Sequence, residues 1–312
     1  RPDGAHAELF IGLPEAKRKG LFGLLETRRA DASPPPFVPA NVSAFSRWRV
    51  DMGAAWKNLE KLLLELSPDV ANMVEFTVGL LGKDKDSNFD FKKSFLNNFG
   101  DDLILYQMPP KSKSLNDLGS GPMVALVKSP SPAELIKGIG AVPGILPPPL
   151  NEAALEPRKL GKHTAHSFGL MELPDPSTGE LVASEVLFAV KDGYLAVSTD
   201  PDLMQGLLDG KAQPPLAKRD RLAATAAVVG GTDSGFFAYQ NDRVMMLSMM
   251  DTLRANADQF EMIFSMIPME GLDEVSLNDW LDFSLLPAGE KIAKYFDVTV
   301  YGAETDARGV TL

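Results

Sequence analysis

The 312-residue chain contains no cysteine. Thiol nucleophiles, thiolate metal sites, iron–sulfur clusters and disulfides are excluded together, while the redox compartment stays open, because a chain of this size can be stable without a disulfide. Histidine is nearly as scarce, with His6, His163 and His166 only. No run of about 18 apolar residues occurs, so no transmembrane helix is expected. Positive charge is also in deficit: 31 Lys and Arg against 42 Asp and Glu give a formal charge of −11. Nucleic-acid binding needs clustered cations to neutralise phosphates, and an anionic membrane surface repels an acidic chain, so neither is an expected partner. The local basic groups, Lys17 to Lys19 and Arg28-Arg29, read as a solvated face.

What the chain does have is a 45% hydrophobic composition, enough for a substantial core in one large domain or roughly two ordinary ones. Val42, Ala44, Phe45 and Trp48 suggest a strand. Met52, Trp56, Leu59, Leu63 and Leu66 then recur at helical spacing behind Asp51, a residue suited to capping a helix N-terminus. Pro68 is expected to stop that helix, and Met73, Phe76, Val78 and Leu80 mark a second. The same order returns later. Phe236, Phe237 and Tyr239 form an aromatic strand, followed by Met246, Met249, Met250, Leu253, Ala257 and Phe260 at helical spacing. Repeated order and periodicity suggest an internal duplication.

Between these stretches, Leu103 to Met108, Met123 to Val127, His163 to Met171, Glu185 to Val190 and Tyr194 to Ser198 read as strands, with Lys191-Asp-Gly193 as a hairpin turn. Asp200-Pro201 opens a helix that Gly210 closes, and Ser131-Pro-Ala-Glu134 opens another in the manner of a capping box. The expected fold is α+β, internally duplicated, with largely antiparallel sheets each covered by amphipathic helices. Residues 1–36 are an N-terminal arm with a tether at Pro34-Pro-Pro36, which favours an extended polyproline conformation. Residues 37–218 are the first half and 219–312 the second. The start at Arg1, without a basic and then apolar leader, reads as a processed or incomplete terminus. Lys294 to Leu312 resemble a strand pair cut off after its turn, so the second half reads as truncated.

Chemical signals are weak. His163 and His166 lie three apart in a strand-like stretch, where they face opposite ways, so no metal site is expected. Gly231-Thr-Asp-Ser-Gly235 lacks the spacing of a nucleophile elbow and enters a strand, so its glycines read as turn residues. Asp84 with Asp86, Asp101 with Asp102 and Asp273 with Glu274 read as solvated loops, since adjacency in sequence does not hold two carboxyls across a cleft. Asp101-Asp102 is the most interesting pair, as a turn entering a buried strand. Gly119-Ser-Gly121 runs into Pro122 and a strand, not into the helix of a phosphate-cradling loop, and no cofactor is expected.

Seven of thirteen methionines fall between Met245 and Met269. Flexible thioethers fill irregular cores and also make adaptable binding surfaces. Met245, Met246, Met249 and Met250 are therefore candidates for contact with an apolar ligand or a partner helix. Leu9, Phe10 and Phe22 join them, because the arm has too little apolar surface to fold alone and is expected to pack on the body or a partner.

The series Phe37-Val-Pro-Ala40, Phe45-Ser-Arg-Trp48 and Trp56, Phe99-Gly-Asp-Asp102, Gly193-Tyr-Leu-Ala196, Gly235-Phe-Phe-Ala-Tyr239, Leu286-Pro287 and Lys294-Tyr-Phe296 resembles a family of uncharacterised exported bacterial proteins typical of planctomycete and verrucomicrobial genomes. The resemblance spans most of the chain. It rests on turn glycines and strand aromatics and carries no functional residues. It implies an export signal upstream of Arg1 and a periplasmic or cell-envelope location. The first functional expectation is a non-catalytic envelope protein that assembles with itself or a protein partner. The alternatives are a carrier of an apolar small ligand held between sheet and helices, and a hydrolase with carboxylates from separate loops.

Overall fold

The structure, a computed structural model, describes residues 4–18, 28–83, 86–115, 118–119, 121–145, 153–169, 173–174, 181–182, 185–210, 214–265 and 285–312. Strand alternation decides its centre. In β3 (Leu103–Gln107) Ile104 and Tyr106 are buried while their neighbours are half-exposed, and in β11 (Phe236–Gln240) Phe237 and Tyr239 are buried in the same way. These two strands flank β2 (Ala44–Trp48), which pairs Phe45 with Tyr106 on one side and with Tyr239 on the other.

The sheet continues beyond β3 through β4 (Met123–Lys128), β10 (Tyr194–Ser198), β9 (Glu185–Lys191), β6 (His163–Gly169) and β5 (Glu156–Leu160). Beyond β11 it ends at β12 (Thr299–Gly302). Among the described residues the sheet has nine strands, all paired antiparallel, in the order β12-β11-β2-β3-β4-β10-β9-β6-β5. The expected α+β fold is present, but strands from either side of residue 218 join this one sheet instead of forming one sheet per half. The cause is the β2–β11 ladder, which pairs the two aromatic strands directly. A duplication is not shown.

Two smaller pairings lie outside the sheet. The arm strand β1 (Phe10–Gly12) pairs with β14 (Gly309–Thr311), which also pairs with β13 (Glu304–Thr305). The arm therefore packs on the C-terminal hairpin. Strands β7 (Leu173–Pro174) and β8 (Leu181–Val182) form a separate pair. The tether is part of the body: Pro34 is buried, the Pro35 carbonyl accepts from the Val38 N–H at 3.0 Å, and just before it the fully buried Ala32 donates its N–H to the Thr232 carbonyl at 2.7 Å.

Helices cover both faces of the sheet. On one face α5 (Pro201–Asp209) and α6 (Leu222–Val228) add Met204, Leu207, Leu208, Leu222 and Ala226 to the core formed by Phe45, Ile104, Leu126, Leu187 and Phe237. On the other, Leu135 and Ile136 of α4 (Pro132–Ala141) pack against Phe188 and Leu195. Asp200 caps α5 by accepting from the Leu203 N–H at 2.8 Å, and Gly210 ends it with φ 62°. The hairpin at Asp192-Gly193 takes φ 50° and 79°, the pair of positive values that a two-residue turn between twisted strands requires. The expected capping box at Ser131 is not formed by its side chain. The Glu134 N–H reaches the Ser131 carbonyl instead, at 3.0 Å.

Between β2 and β3 the chain makes α1 (Met52–Leu66), α2 (Pro68–Leu80) and the single turn α3 (Phe91–Ser94). Pro68 does not merely end α1. It occupies the first turn of α2, where its missing N–H costs nothing, and Ser67 caps that helix. Between β11 and β12 lie α7 (Asp242–Ala255), α8 (Ala257–Ser265) and α9 (Gly289–Ala293). No helix among the described residues is long and apolar enough to cross a membrane.

Candidate functional site

Two features could do chemistry, a buried charge cluster and an open cleft. The cluster grows from β2 and the entrance to β3. Arg47 extends from the core face of β2, opposite Phe237 and Ile104, and donates twice to Asp102, from Nε to Oδ1 at 2.9 Å and from Nη2 to Oδ2 at 2.7 Å. Arg49 adds a third bond to Asp102 at 3.2 Å and one to Asp101 at 3.2 Å. The Tyr194 hydroxyl donates a fourth to Asp102, at 2.7 Å. Asp101 and Asp102 do bend the chain into β3 as expected, but Asp102 is not solvated: it is the hub of this network, with only 4% of its surface exposed.

Burial by itself would raise the Asp102 carboxyl. Hydrogen bonds from Arg47 and Tyr194, with the charges of Arg47 and Arg49, outweigh it and hold the carboxyl below its ordinary value. Burial and the bond to Asp102 push the Tyr194 hydroxyl up to about 12. A carboxylate with its lone pairs spent on two guanidinium groups and a phenol is a poor base. The cluster reads as a structural clasp that ties β2, β3 and β10 together, and Arg47 Nη1 extends it to the tether by donating to the Ser33 carbonyl at 2.8 Å.

The cleft lies between α1, α2 and the segment leading into α3, has a volume of about 600 Å³ and is half open to solvent. Trp56 and Leu63 of α1, Val74 and Val78 of α2, and Phe89 and Phe91 supply apolar walls. It persists because the hairpin is held at one end only. Leu81, Phe91, Leu96 and Ala141 form a small core with Trp56, Val78 and Phe89, while α1 buries no residue fully and α2 buries only Ala71. Gly82 closes that end. It has φ 76°, and a Cβ there would lie 2.5 Å from the Phe89 ring.

Among the described residues, the charged side chains Glu60, Glu75, Lys83, Asp90 and Lys92 line the cleft. Lys92 bonds Glu60 at 2.5 Å, and this bond, with the charges of Glu60, Glu75 and Asp90, raises its pKa against a smaller effect of burial. Asp90 accepts the Lys93 N–H at 3.0 Å and so caps α3. The indole N–H of Trp56 is buried and has no acceptor among the described residues. A volume in this range, with apolar walls and a few polar groups, suits a small apolar molecule.

The candidate residues from the sequence lie elsewhere. Met250 of α7 is buried, Met245 and Met246 are half-buried and Met249 is exposed, and none lines the cleft. Leu9 and Phe10 are exposed on the arm beside β14. Phe22 lies outside the described residues, as do Asp84, Met266 and Met269. His163 Nε2 donates to the Asp209 carboxylate of α5 at 2.9 Å, clamping β6 to that helix. Among the described residues no three His, Asp or Glu gather as a metal site. The cleft residues carried one signal in the sequence: α2 is apolar around most of its circumference, which a helix with one buried face does not need.

No protein-family model, no curated protein and no solved structure matches the chain.

Proposed function

We propose that the protein is a non-catalytic binding protein of the bacterial cell envelope that carries an apolar small molecule in the cleft between α1, α2 and α3. The cleft carries this reading, with its volume of about 600 Å³ and its walls of Trp56, Leu63, Val74, Val78 and Phe89. Among the described residues three carboxylates face two ammonium groups on its rim, a balance that favours a neutral or cationic amphiphile over a fatty acid. A hydrolytic reading has less support, because Glu60 is held by Lys92 and Asp90 by the α3 backbone. The envelope location rests on the resemblance to exported proteins.

The test is titration of the purified protein with Nile red, a neutral apolar probe, alongside the Val74→Trp variant, which fills the cleft from α2. Saturable one-site binding that the variant loses while keeping its circular dichroism is the expected result. Binding that is unsaturable, or that survives the substitution, refutes the carrier role.

A further inference from the structure

The carboxylates of the cleft stand beside its apolar walls. On α1 Glu60 lies four residues after Trp56, on α2 Glu75 lies three before Val78, and Asp90 falls between Phe89 and Phe91. Residues three or four apart share a helix face. All three carboxylates act on one place. Lys92 is raised above its ordinary pKa by its bond to Glu60 and by the charges of Glu60, Glu75 and Asp90, so the potential in that part of the cleft favours an ammonium group. Lys92 answers only one of them. Glu60 accepts its bond at 2.5 Å, Asp90 accepts the Lys93 N–H with one oxygen at 3.0 Å, and Glu75 has no hydrogen bond or ion pair among the described residues. Lys83, the other ammonium, follows Gly82 at the closed end. The aromatic walls act in the same direction, since a ring face attracts a cation.

We propose that the ligand of the cleft is an amphiphile with an ammonium head, which sits among Glu60, Glu75 and Asp90 while its chain lies against Trp56, Val74 and Val78. This rests on the carrier role and narrows it to one class of ligand. Glu75 sets the preference, because it is the carboxylate left unpaired. An ammonium head gains its charge and the neighbouring rings together. A carboxylate head is repelled by the same group, and an uncharged head gains nothing from it.

The test is displacement of Nile red, at low ionic strength and below micelle formation, by chains of equal length that differ in the head: decyltrimethylammonium, decyl maltoside and decanoate. The ammonium should displace the dye at a concentration roughly two- to fivefold lower than the uncharged chain, the range expected of one exposed charge pair, with decanoate the weakest. High salt should erase the order, because exposed charges are screened. Glu75→Lys should place decanoate ahead of the ammonium. Glu156→Lys, at an exposed position on β5 away from the cleft, changes the net charge equally and should keep the original order. Decanoate or decyl maltoside displacing the dye as well as the ammonium does, or the same order in Glu75→Lys as in Glu156→Lys, overturns the head-group assignment and leaves the carrier role standing. Nile red binding that does not saturate overturns both.

Discussion

Arg47 lies on the core face of the sheet with 11% of its side chain exposed, and its charge is met there chiefly by Asp102, whose side chain is 3% exposed and accepts from it with both oxygens. Removing one member of such a pair strands the other, and Asp102→Ala should cost about 3–5 kcal/mol in urea unfolding. The same group sets the acid limb of stability. Its carboxyl is held below the ordinary 3.8, so the stabilisation is complete above that value and is lost as pH falls through the lower, folded-state value. Tyr194 behaves oppositely, being raised from 10.0 to about 12; its contribution is complete below 10.0 and disappears as pH climbs toward 12. Unfolding free energy measured across pH should therefore show a shallower acid limb in Asp102→Asn and a shallower alkaline limb in Tyr194→Phe. Limbs identical to those of the unaltered protein would mean that the clasp does not govern them.

At the scale of elements, two helical glycines separate propensity from packing. Gly138 of α4 rides on Phe95, and a Cβ there would stand 2.6 Å from the Phe95 Cβ. That ring is itself wedged between Phe91 and Phe99, each 4.9 Å away, so it cannot easily yield. Gly206 of α5 has nothing within 4 Å of its Cβ position. Alanine is the better helix former by about 1 kcal/mol, and overpacking costs about 1–3 kcal/mol. Gly206→Ala should accordingly raise the thermal midpoint and Gly138→Ala lower it, although both look alike in sequence. Equal shifts of the same sign in calorimetry would contradict the close contact.

At the scale of the molecule, the main core takes Val38, Phe45, Ile104, Leu126 and Leu187 from one side of residue 218 and Phe237 and Tyr239 from the other. The β2–β11 ladder crosses the same divide with five residue pairs. Unfolding one side exposes the apolar face of the other, so calorimetry should give a single main transition with agreeing calorimetric and van't Hoff enthalpies. Two separable transitions would restore independent halves.

The sequence by itself determined what depends on neighbours in the chain. The α1 helix behind its Asp51 cap, α5 between Asp200 and Gly210, the Asp192-Gly193 turn and the alternating strands follow from local sterics and hydrogen bonding, and each is where the spacing puts it. It also ruled out thiol chemistry, since composition has no tertiary part. Only the tertiary structure decided that the two aromatic strands lie side by side, because pairing partners separated by nearly two hundred residues leave no periodic mark. The role of Asp102 was hidden for the same reason: its partners Arg47 and Tyr194 are remote in sequence, and proximity to a strand does not say whether a carboxylate is solvated or enclosed. The cleft was hidden most completely. Its walls come from residues that would serve equally well in a closed core, and the gap among them exists because α1 and α2 are anchored at one end while their remaining apolar surface is left open.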